Sequence, residues 1–432
     1  MTRPVPLRAV ATRTDARPVT GRGAQGRVVE VHTQTRRGLL VATMFVVAAV
    51  VAGVTRLGGW WLPLHLFVVG GLLSAISATT LMLAVTWSAA AAPRVLLASA
   101  QRWALAAGAV ALVIGREQGY TWMFVAGGAL VVAAMMGLAA LLIRIRLQAI
   151  TPRLAPAIEA YVAAAVAGAT GMSIGILLGA GRAGDIAVEL RDVHLVLNVF
   201  GLIGLVIAGT LPYFAATQLR SKVSPRATPT AVRITIATMA ISTAAAALGH
   251  LVELPGIVAA ALLVYVLGLL AIATMLPSLV PSRVRWAGPR VAQLAVGICW
   301  WVAMTAALSV ATVRGTDSRV ILQALVIGGF AQILVASLAY LGPVLRGGGH
   351  RRLTAGFAIT RSWVSLAAGN TAAVAALVGH GPTLSVALVI WLTDIAIRAG
   401  RLLTARVTGG SQRDEAERSD SSADARRSSD DV

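Results

Sequence analysis

The chain has 432 residues, 57% of them hydrophobic and only 12% charged, and its mean hydropathy is +0.79. Such a composition excludes a soluble domain, and apolar runs of about 20 residues, enough to cross a hydrocarbon core, recur along the chain. A net charge of +20 would suit nucleic acid, but the cations punctuate the apolar runs instead of forming one patch, so no nucleic-acid partner is expected.

In chain order, residues 1–37 form a basic tail rich in Thr, Gly and Pro, expected to be disordered and to lie near anionic headgroups. The first apolar run follows this tail and leads straight into others, so no cleavable signal peptide is expected. Twelve membrane spans are predicted over residues 38–404: about 38–56, 62–86, 95–114, 120–143, 156–180, 193–219, 231–250, 254–277, 290–312, 320–345, 355–379 and 382–404. Pro, Gly or Arg marks most of their boundaries. Residues 405–432 are charged and nearly free of large apolar side chains, the composition of a disordered tail. The expected fold class is therefore all-α, a polytopic bundle of about twelve helices in a lipid bilayer.

Lys and Arg orient the chain. With the N-terminus inside, the inner loops carry fourteen of them and the outer loops six, and the N-terminal tail adds eight more inside. Cations accumulate on the cytoplasmic side, so both termini are expected there, with the protein in the plasma (inner) membrane.

An internal repeat is legible. The second span, "HLFVVGGLLSAISATTLM", aligns with the sixth, "HLVLNVFGLIGLVIAGTLPYF", if two residues are skipped after His-Leu. Gly70 then matches Gly201, Ile76 matches Ile207 and Thr79 matches Thr210. In the tenth span Gly328, Ser337, Leu338 and Tyr340 continue the series, matching Gly201, Thr210, Leu211 and Tyr213. The glycines recur at intervals of 131 and 127 residues, each one group of four helices, which suggests three units about a pseudo-threefold axis. The competing reading is that small residues recur in any membrane helix because they let backbones approach.

Four of the six histidines fall on the outer side of this topology. His65 lies in the first turn of the second span and His194 in the corresponding place of the sixth; His250 ends the seventh, and His380 follows the eleventh. An imidazole inside a bundle is costly unless a metal, a proton path or a hydrogen-bond partner satisfies it. Neutral imidazole is also a common ligand of copper and haem iron. His65 and His194 are therefore the candidate cofactor ligands, with His250 a further metal candidate at the same face. For His250 and His380 contact with water or headgroups is the simpler reading. Asn198, four residues after His194, shares its helical face and is a candidate to orient the ring. Arg102, near the inner end of the third span, reads as a snorkelling cation and is kept as a second supporting candidate.

The remaining polar residues suggest structure first. Glu159 begins the fifth span near the inner face, where snorkelling competes with a proton-uptake role. Asp394 and Arg398 form an i,i+4 pair. Gln323, Gln332 and Asn370 are expected to hydrogen-bond between helices. The "RGGGHRR" loop at 346–352 lacks a phosphate-loop pattern and reads as a basic turn. The single cysteine, Cys299, rules out an intrachain disulfide or a Cys-rich metal site.

The segments "WWLPLHLFVVGGLLSAIS" (60–77), "AQRW" (100–103), "HLVLNVFGLIGLVIAGTL" (194–211) and "GGFAQILVASLAYLGPVLRGGG" (328–349) carry a family resemblance. They resemble haem–copper oxidase subunit I and, more closely, NnrS-type membrane proteins and the membrane halves of actinobacterial multicopper oxidases and copper nitrite reductases. The resemblance implies three four-helix units and a role in respiratory, copper or nitrogen-oxide metabolism. It also implies haem or copper bound through His65 and His194, and a periplasmic copper or redox protein as partner. This chain departs from the pattern where oxygen chemistry is done. Its seventh span has only His250, its tenth has none, with Ile321 at the equivalent place, and no two histidines are adjacent. A three-histidine copper centre is thereby excluded, and oxygen reduction is not expected. Two other classes compete with a cofactor protein: a secondary transporter, since twelve spans with repeats suit one, and a non-catalytic scaffold that keeps the fold without its cofactor.

Overall fold

The computed structural model describes residues 24–347 and 349–405, which form helices joined by short turns, with no strand among the described residues. Helices suit this composition, because backbone groups in lipid must find their partners within the same segment. In chain order they are α1 (Ala24–Thr55), α2 (Trp61–Ser88), α3 (Val95–Glu117), α4 (Thr121–Leu147), α5 (Ala155–Gly179), α6 (Gly184–Gln218) and α7 (Pro229–Leu251). There follow α8 (Pro255–Thr274), the short α9 (Pro281–Ala287), α10 (Pro289–Arg314), α11 (Arg319–Arg346), α12 (Gly349–Thr360), α13 (Trp363–Leu377) and α14 (Gly381–Thr404).

Local chemistry sets the ends. Prolines open α7, α8, α9 and α10, where the missing N–H costs nothing. The Thr228 hydroxyl caps α7 by accepting from the Ala231 amide at 3.2 Å. Gly315 closes α10 at φ 62°, a left-handed geometry that an L side chain resists.

Ten helices, α1 to α8, α10 and α11, are long and apolar enough to cross a membrane, and the chain is a polytopic all-helical membrane protein. Two of the twelve predicted spans fall outside that set. The run at 355–379 is broken at Arg361 and Ser362, where the Ser362 hydroxyl caps α13, which then has only 15 residues. A 15-residue helix is about 22 Å long, short of a hydrocarbon core of about 30 Å. The last run forms the 24-residue α14, but Asp394, Arg398 and Arg401 interrupt its apolar sequence. At the other end α1 starts at Ala24, well before residue 38, so the last part of the expected basic tail is helical. The remaining tail expectations, at 1–23 and 406–432, lie outside the described residues.

Three spans contain a π-helical segment: Leu66–Leu72 in α2, Leu197–Gly204 in α6 and Leu325–Ala331 in α11. A π segment amounts to one extra residue in a helix, so it turns the part before it relative to the part after it and frees a carbonyl. In α6 one such carbonyl, that of Phe200, accepts from the buried Tyr265 hydroxyl of α8 at 3.0 Å.

Packing follows small residues. A methyl group on Gly108 of α3 would meet the Gly127 carbonyl of α4 at 2.8 Å, so those helices touch backbone to backbone. One extended apolar core joins α2, α4, α5, α6, α7, α8, α10 and α11, with Trp301, Tyr161 and Tyr265 fully buried in it. Large apolar side chains face outward on the periphery, such as Met44 and Val47 of α1, Leu263 and Leu267 of α8, and Val389 and Ile390 of α14. In water these would be liabilities; against lipid they are the expected surface.

Candidate functional site

Polar side chains collect at both ends of the bundle, and the predicted histidines share one end. His65 occupies the last α-helical turn of α2 before its π segment. Its ring stacks on Trp61 one turn earlier, centroids 4.0 Å apart and planes inclined by 19°. Its Nδ1 lies 2.9 Å from the Trp61 carbonyl oxygen. Arg116, at the end of α3, sits 5.5 Å from the Trp61 ring centroid. His194 likewise stands just before the π segment of α6, and its Nδ1 is 2.7 Å from the Gly171 carbonyl of α5.

A carbonyl only accepts, so in both rings Nδ1 carries the hydrogen and Nε2 keeps its lone pair. That tautomer is the one metal-binding histidines adopt when an outer partner orients them. Both rings are half-buried.

Two glycines make room for His194. A methyl group on Gly175 would meet the ring at 2.7 Å from Cε1 and 2.9 Å from Nδ1, and one on Gly171 would meet the Asn198 amide at 2.6 Å. The pattern Gly171-x-x-x-Gly175-x-x-x-Gly179 looks like a helix-packing seam. Its first two members instead leave a bay for an imidazole and an amide. Sequence reasoning missed this use, though the glycine spacing was there as a signal.

Asn198 lies beside the His194 ring, where the sequence placed it as a candidate to orient the imidazole. Its Nδ2 donates to the His194 carbonyl at 2.7 Å, while its 3.4 Å approach to Nδ1 joins two groups that both carry hydrogen. It secures the helix where the π segment begins. His250 closes α7 and lies 3.9 Å from Asp192 of α6, which is equally far from Arg191. Among the described residues no three His, Cys, Asp or Glu side chains come together as a metal cluster, so His250 does not complete a three-ligand site with His65 and His194. His380 caps α14, its Nδ1 2.8 Å from the Thr383 hydroxyl.

Arg102 lies at the opposite end of the bundle. It donates to Gln34 of α1 at 2.6 Å and to Ser99 at 3.1 Å, beside Ala78 in the C-terminal half of α2. Thirteen helical residues separate Ala78 from His65, about 20 Å of rise, so Arg102 does not support the histidines. Glu159 is gripped at the same end. Arg146 of α4 donates to it at 3.0 Å, and Arg233 of α7 donates at 2.6 and 3.1 Å.

Asp394 accepts from Ser362 at 2.6 Å and pairs with Arg398 at 2.9 Å. Asn370 accepts from the Trp300 indole at 2.9 Å and donates to Gln332 at 3.4 Å, which links α10, α11 and α13. Gln323 is exposed. No protein-family model matches the chain, and no curated protein is similar to it.

Proposed function

We propose that this membrane protein holds a redox-active metal group, haem iron or copper, through Nε2 of His65 and Nε2 of His194. The carrying observation is the matched pair: two half-buried imidazoles on separate spans, each just before a π segment, each with Nδ1 tied to a backbone carbonyl. The donor set fits a group that takes two neutral imidazoles. When bound, such a group supplies one-electron chemistry. The chain's own residues orient the ligands: Trp61 stacks on His65, the Gly171 carbonyl holds His194, and Gly175 gives its ring space. Arg116 lies 5.5 Å from the Trp61 ring that stacks on His65, a cation that suits the carboxylates haem carries. With two protein ligands the site serves electron transfer, sensing or metal handling, and not oxygen reduction.

Two further elements belong to this reading. The π segments begin at residues 66, 197 and 325, close to the glycine repeat, and support three four-helix units about a pseudo-threefold axis. The Arg-rich end faces the cytoplasm, which puts the histidine pair on the outer side, within reach of a periplasmic copper or redox protein.

The test is purification in detergent after expression with ample haem precursor and copper, followed by a visible spectrum and iron and copper analysis. A Soret band, or copper near one per chain, is expected, and it should be lost in both His65→Ala and His194→Ala. A colourless, metal-free wild type would overturn the assignment and leave a transporter or a cofactor-free scaffold.

A further inference from the structure

Arg290 is the second residue of α10 and is only 2% exposed, yet its Nε, Nη1 and Nη2 have no hydrogen-bond partner. It sits among three aromatic rings, with centroids at 4.8 Å (Phe357 of α12), 5.2 Å (Tyr340 of α11) and 5.3 Å (Trp286 of α9). Trp286 carries a second guanidinium, that of the exposed Arg220, 3.8 Å from its centroid. A third, Arg361, donates from Nη2 to the Trp286 carbonyl and leaves a buried Nε without a partner. Arg220 and Arg290 share the Trp286 ring and Arg361 holds the same residue's carbonyl, so three like charges converge on one tryptophan. Among the described residues none of the three forms an ion pair with a carboxylate.

Aromatic faces answer only part of this. A cation over a ring is stabilised only modestly, while burial of an unpaired ion costs considerably more. Ring faces also accept N–H hydrogen bonds weakly, so the fork of in-plane donors remains unanswered. Three like charges held around one indole need a multivalent acceptor. A phosphate group fits: it carries the charge, and its oxygens match the guanidinium fork two at a time. The N-terminus of α10 adds its own positive end.

We propose that Arg290, Arg361 and Arg220 form an anion site for a phosphate group, supplied by an anionic phospholipid headgroup or by a soluble phosphate. Arg290 and Arg361 supply the buried donors, and the exposed Arg220 forms the open side. The site lies at the Arg-rich end and is independent of the histidine pair.

The test uses the full-length chain in neutral detergent and follows thermal unfolding and Trp fluorescence. One arm titrates inorganic phosphate against chloride at matched ionic strength. The other adds phosphatidylglycerol against phosphatidylcholine, with bound lipid counted by native mass spectrometry. A saturable rise in melting temperature is expected in at least one arm, and the responding arm identifies the source. Arg290→Gln and Arg361→Gln should each weaken that response at least tenfold, and Arg220→Gln, at the exposed position, should weaken it if the buried variants fail to fold. The proposal is overturned if neither phosphate nor phosphatidylglycerol acts beyond its control. It is equally overturned if every variant that folds responds as the wild type does.

Discussion

His194 is held by one hydrogen bond to another helix and by the room that two glycines leave beside it. Replacing Gly175 by Ala puts a methyl group within 2.7 Å of the ring, closer than real carbon contacts allow. The helix can keep its backbone, so the imidazole must move off the Gly171 carbonyl. Gly175→Ala should therefore express and insert like the wild type but lose metal or haem as completely as His194→Ala does. Retention of the full complement would show that the ring is not set by this bay. Much of the pair was legible in the sequence, because two histidines in matching turns of two spans stand out in so apolar a chain. Its orientation was not, because hydrogen bonds to Trp61 and Gly171 carbonyls involve backbone atoms that side-chain patterns do not reveal. Arg290 was hidden for a similar reason. It counted as one more positive loop residue, and only the folding of α9, α11 and α12 over it buries it.

At the scale of elements, the π segments decide which way the histidines point. Removing Val199 should convert the segment in α6 to ordinary helix and turn everything before it by about 100° relative to the rest. The deletion should therefore lose bound metal or haem as fully as His194→Ala does, and retention of the full complement would show that the segment does not aim the ring. The same segment needs its freed carbonyl answered. Tyr265→Phe removes the donor to Phe200 and should cost about 1–3 kcal/mol, read as a lower unfolding midpoint in detergent. The Glu159 clamp joins α4, α5 and α7, but its groups are a third or more exposed. Screening holds Glu159→Gln to about 1 kcal/mol of destabilisation, and the loss should shrink as salt is raised. The repeat could be sensed as recurring glycines, whereas an inserted residue has no composition of its own and cannot be read from one chain.

For the whole molecule, if each of the ten candidate spans among the described residues crosses the bilayer, Arg346 lies on the side from which α1 starts. Reporters fused after Arg346 and after Arg314 should therefore report opposite sides, with the Arg346 fusion cytoplasmic. Agreement between the two would break the order of spans. Hydropathy made the membrane class and most spans plain, since apolar length is what a bilayer selects. It overcounted at the end of the chain, where one capping serine and a few charges decide whether an apolar run stays a single rod.

The three π segments also have a mechanical meaning. A regular helix carries twist from one membrane face to the other, whereas a π turn is a joint with a residue to spare. In α2 and α6 these joints lie directly beneath the histidines, between them and the arginine-lined end. Torsion at one face is thus absorbed before it reaches the other. With the proposed group bound, the turns that carry the histidines would adjust around it while the arginine end keeps its packing.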